Sequence, residues 1–61
     1  MEFVSFEWRH TMGGFIFYTL ASEHSSEADA VRFCAEMNLG VSNPKRGYAW
    51  TETSKAPEMK V

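Results

Sequence analysis

A chain of 61 residues with 44% hydrophobic residues and nine aromatics (five Phe, two Trp, two Tyr) has too much apolar surface to stay disordered and too little length for a second core. Eight acidic residues against six basic ones give a formal net charge of −2, so no bulk attraction draws it to phosphate or to an anionic membrane. The only cysteine, Cys34, allows no internal disulfide, which argues against a small secreted scaffold and for a reducing, cytoplasmic setting.

In chain order, residues 2 to 10 (EFVSFEWRH) alternate, with Val4, Phe6, Trp8 and His10 on one side and Ser5, Glu7 and Arg9 on the other. That pattern predicts a half-buried strand. The start is acidic where a signal peptide would be basic, and the longest apolar run, FIFYTLA, is too short to cross a bilayer, so neither export nor membrane spanning is expected. Gly13 and Gly14 then separate the first strand from FIFYTLA, which predicts a hairpin. Its register is open. A Gly13-Gly14 loop places Phe15 and Phe17 on the face of Trp8, whereas a Met12 to Gly14 loop places Ile16, Tyr18 and Leu20 there.

From Ser22 onward the period changes. Ala30, Val31, Phe33, Cys34 and Met37 form one arc of a helical wheel, and Asp29, Arg32 and Glu36 the other, which predicts an amphipathic helix over roughly residues 26 to 38. Ser25 or Ser26 can cap its start and Gly40 can provide an αL stop. Residues 41 to 47 (VSNPKRG) read as a loop around Pro44, and YAWTET as a third strand. Residues 1 to 55 are thus one domain, and residues 56 to 61 are expected to be a polar, frayed tail. A right-handed crossover through the helix returns the third strand antiparallel to the first. The expected fold is α+β: ββαβ, a three-stranded, mainly antiparallel sheet in order 2-1-3, with one helix on one face.

No motif points to catalysis. Cys34 with His10 or His24 has the ingredients of a thiolate-imidazole pair, but Cys34 sits mid-way along the apolar helix face, where cysteine behaves as a small inert hydrophobe. The same three residues lack metal-ligand spacing. Glu23, Glu27 and Asp29 answer the helix dipole, and Gly13-Gly14 joins strands where a phosphate loop would open a helix. The expectation is a non-enzyme without metal or cofactor.

Two binding readings remain. Lys45, Arg46, Tyr48 and Trp50 combine cations with rings two residues apart, a possible stacking platform for single-stranded nucleic acid. Against it, Tyr48 and Trp50 are equally what a last strand buries, and the overall charge is acidic. The favoured reading is protein binding. One helix covers one face, so apolar residues and sheet edges remain for a partner or for a second copy in a homodimer. Candidate contacts are Phe15, Phe17, Tyr48 and Trp50, with Lys45 and Arg46 at the rim. In element order, acidic balance, single cysteine and length the chain resembles the small host-takeover proteins of bacteriophages, which include ββαβ inhibitors of bacterial RNA polymerase. The resemblance implies a compact protein that inhibits or adapts a larger one by occupying a site on it, with anti-defence roles included, and it assigns no residue.

Overall fold

The alternation of the first segment does build a strand, and it is the central one. In the computed structural model, which describes residues 2–59, the order is β1 (Phe3–His10), β2 (Ile16–His24), α1 (Glu27–Asn38), β3 (Arg46–Glu52) and a 3₁₀ turn, Thr53–Lys55. The sheet runs β2-β1-β3, antiparallel at both joins. Residue 1 and the last two residues of the expected tail, 60 and 61, lie outside the described residues.

The hairpin adopts the longer loop. Thr11 N–H donates to the Phe15 carbonyl at 2.9 Å, and Gly14 N–H to the Thr11 carbonyl at 3.1 Å, leaving Met12 to Gly14 as the turn. Gly14 has φ +85°, the left-handed position that closes a three-residue hairpin and that glycine occupies without steric cost. Trp8 therefore pairs with Tyr18 and His10 with Ile16. An extra residue, Ala21, bulges between the pairs Phe6–Leu20 and Ser5–Ser22.

α1 starts where Ser26 Oγ accepts from Asp29 N–H at 3.2 Å. Its end differs from expectation. Gly40 has no positive φ; instead Leu39, Gly40 and Val41 donate to the carbonyls of Glu36, Met37 and Asn38, a tightening 3₁₀-like finish. Asn38 is thereby aimed at β3. Only Ala30 and Cys34 of the apolar arc are buried, with Phe33 half-buried, while Val31 and Met37 are exposed. The helix rests on the sheet along a narrow stripe.

That stripe lies on the side of Phe3, Ser5 and Glu7. The Phe33 ring stands 5.2 Å from His24 and 6.5 Å from Tyr48, residues paired with Phe3 and Glu7 respectively. The other side carries Val4, Phe6 and Trp8, and no helix covers it, yet Val4 and Phe6 are only 4% and 7% exposed. The covering comes from the end of the chain. It leaves β3 beside Phe3, where Thr53 N–H donates to the Glu2 carbonyl, and by Met59 it shares a cleft with Ile16, Phe17 and Tyr18 at the opposite corner. Ala56, Pro57 and Met59 are half-buried, so residues 56 to 59 form a strap across the second face where a frayed tail was expected. Full burial of two side chains such as Val4 and Phe6 is worth about 1.5–3 kcal/mol each.

β3 begins two residues earlier than its aromatic pattern indicated. Asn43 closes the preceding turn, its Oδ1 accepting from Lys45 N–H at 2.9 Å and its carbonyl from Arg46 N–H at 3.3 Å. Arg46 is thus a strand residue, and so is Gly47. The indole of Trp8 lies on Gly47: a Cβ there would come within 2.9 Å of Trp8 Cζ2.

Candidate functional site

The strand pairing separates the six candidate residues into two groups on one face. Tyr48 and Trp50 lie toward the helix: Tyr48 meets Phe33 edge-on, and Trp50 meets Phe3 edge-on at 5.9 Å. Both are half-buried. The two rings form the side wall of the core, each in edge contact with one neighbouring ring.

Phe15 and Phe17 lie at the hairpin end of the same face, past the cover of α1, and are 69% and 47% exposed. Arg9 pairs with both Phe17 and Arg46, so the row Phe17–Arg9–Arg46 crosses the sheet within about 10 Å, two strand spacings. Lys45 follows at its edge, exposed. Sequence reasoning named Phe15, Phe17, Lys45 and Arg46 but missed Arg9, whose position in this row depends on the register of both strand pairs.

It also missed Glu7. This half-buried carboxylate accepts from Arg46 Nη2 through Oε2 at 2.5 Å and from Arg9 Nη2 through Oε1 at 3.4 Å. One acid between two guanidiniums leaves the row net cationic and fixes Arg46 against the sheet. Arg46 was expected in a solvated loop; its buried Nε has no hydrogen-bond partner among the described residues. Of the two adjacent cations, Lys45 is the one free to meet a partner electrostatically.

The residues with the chemistry for a reactive cluster are dispersed. Cys34 is buried under α1, and burial pushes its thiol pKa up, away from the thiolate. His10 stacks edge-on with Trp8 on the opposite face. His24 Nε2 and Ser5 Oγ share a 2.8 Å hydrogen bond, but Ser5 is fully buried, also donates toward the Ser22 carbonyl at 3.4 Å, and cannot meet a substrate. Among the described residues no group of three or more His, Cys, Asp and Glu comes together to hold a metal, and no helix is long and apolar enough to cross a membrane.

The sheet edges are unequal. Asn38 places its side-chain amide against the outer edge of β3, Nδ2 donating to the Tyr48 carbonyl at 3.0 Å and Oδ1 accepting from Tyr48 N–H at 2.9 Å. This amide does what a fourth strand would do at that position. The β2 edge has no such guard among the described residues.

Compared with known proteins, the chain matches no protein family, no curated protein and no solved structure.

Proposed function

We propose that this chain is a non-enzymatic, cytoplasmic binding module that inhibits or adapts a larger protein, using the hairpin end of the helix-bearing face. The observation that carries this reading is the pair of exposed rings, Phe15 and Phe17, set on a sheet beside Arg9 and Lys45. Aromatic anchors with an arginine at the rim are the composition of an interface centre, and the cations favour an acidic partner surface. Tyr48 and Trp50 support the patch from within the core.

The test is capture of a stoichiometric partner from a bacterial lysate, with and without nuclease, by the wild-type chain and by Phe15→Ala/Phe17→Ala. The expected result is a nuclease-resistant partner lost on the double substitution while the fold remains. Retention by the variant would remove the patch from the contact. Single-stranded nucleic acid through Lys45, Arg46, Tyr48 and Trp50 is the second reading; nuclease-sensitive capture that weakens steeply with salt would favour it.

A further inference from the structure

We propose that two copies of this chain associate through the outward edge of β2, antiparallel about a two-fold axis at Tyr18, joining their sheets into one of six strands. This goes beyond the binding reading above and does not depend on it.

The hairpin bond from Thr11 to Phe15 sets the phase of the β1–β2 ladder. Phe17 and Thr19 then exchange hydrogen bonds with β1, while Ile16, Tyr18 and Leu20 direct their N–H and C=O groups outward. Among the described residues no hydrogen bond reaches those outward groups. On β3 two of the four outward positions are engaged, Arg46 through its N–H by the Asn43 carbonyl and Tyr48 by Asn38. The β3 edge is interrupted at its hairpin-side half, whereas the β2 edge is a template.

Exposed edges are ordinarily protected by a lysine, a proline, an inward charge or brevity. From Ile16 to Ser22 β2 reads IFYTLAS, with no charge and no proline in seven residues, and its only irregularity, the Ala21 bulge, lies near the far end. A second copy suits such an edge for a further reason. Outward groups must face outward groups, and an antiparallel copy centred on Tyr18 sets Tyr18 opposite its equivalent and Ile16 opposite Leu20 in both directions. All three outward residues are matched at once. Directly opposite residues share a face, so Phe17 meets the partner copy's Thr19, and Phe15 meets its Ala21, on the helix-bearing side. Ile16, Tyr18 and Leu20 line the strap side. Within the paired strands apolar meets apolar or neutral, Glu23 and His24 fall outside the overlap, and Glu58 and Met59 of the strap border it beside Ile16 and Tyr18. The two-fold axis is perpendicular to the sheet, so both helices stay on one face, with a row of Phe15 and Phe17 rings between them.

The experiment measures mass by sedimentation equilibrium on the full chain up to about 1 mM, where even a weak dimer is populated. Wild type is expected to move toward twice the monomer mass. Thr19→Lys, which installs a cation in the overlap, and Ile16→Pro, which removes an outward N–H without touching the β1 ladder, are each expected to shift dimerisation at least tenfold to higher concentration with unchanged circular dichroism. Val31→Lys on the exposed side of α1 should change nothing. Register is read independently by mixing Phe17→Cys and Thr19→Cys chains: these form a non-hydrogen-bonded pair with Cα atoms about 4.5 Å apart, within disulfide range, and a mixed disulfide should form faster than either homodisulfide. Monomer mass throughout would overturn the proposal, and so would dimerisation that survives both β2 substitutions.

Discussion

Cys34 and Arg46 show how far a single residue's chemistry follows from where its backbone is placed. Cys34 behaves as the apolar helix position implied: its thiol is buried and its pKa is raised by desolvation. Native alkylation should be slow and should accelerate on unfolding, and Cys34→Ala should cost about 1 kcal/mol. The raised pKa also has a sign. A thiol harder to ionise in the folded state than in the unfolded one contributes stability that is intact below the ordinary thiol pKa and is lost as pH rises from there through the folded value. Chemical denaturation across the alkaline range should show that loss in wild type and not in Cys34→Ala. Arg46 was not legible in the same way. Its neighbours in sequence, Pro44, Lys45 and Gly47, read as loop, and it is the strand pairing with Arg9 and the ion pair with Glu7, 37 and 39 residues away, that make it a sheet residue. Lys45→Ala should therefore leave the melting temperature unchanged. Arg46→Ala should lower stability by about 1 kcal/mol, because it leaves a half-buried carboxylate with only the longer, exposed contact to Arg9; equal melting temperatures for the two variants would refute this division.

At the scale of elements, each boundary that local pattern determined was readable, and each that a partner determined was not. Strand alternation, the serine cap and the glycine turn are local, and β1, the start of α1 and the hairpin follow from them. The hairpin register required knowing that Gly14, rather than both glycines, takes the positive φ. The end of α1 depended on Asn38 being committed to β3, a bond that spans ten residues and that no helix signal encodes. Asn38→Ala is expected to destabilise the domain by about 1–2 kcal/mol and to expose the β3 edge. Asn38→Asp should be worse, since it retains the acceptor but sets a carboxylate oxygen against the Tyr48 carbonyl; urea titration of the two variants ranks them. Gly47→Ala tests the contact across β1, because Trp8 has to move off the strand to admit the new methyl. A loss of about 1–3 kcal/mol with altered tryptophan fluorescence is expected, and a neutral outcome would show that the indole is not seated there.

For the whole molecule, sheet order and helix placement were legible because one crossover hand and one amphipathic element leave few alternatives. The strap was not. Residues 56 to 59 are polar or small apart from Met59, and nothing in them signals that they cover Val4 and Phe6. Deleting residues 56 to 61 should cost about 2 kcal/mol and raise binding of an apolar dye, in contrast to removal of a frayed end, which would be silent. The strap also decides how the molecule can be mounted. Glu2 lies beside Thr53 at one end of the sheet, whereas Met59 is carried to the hairpin corner beside Ile16 and Phe17. A sensor surface linked through the carboxyl end would therefore crowd the aromatic patch and the β2 edge, while linkage through the amino end would turn both toward the solution. Paired measurements in the two orientations should differ in association rate if either surface is the one that meets a partner.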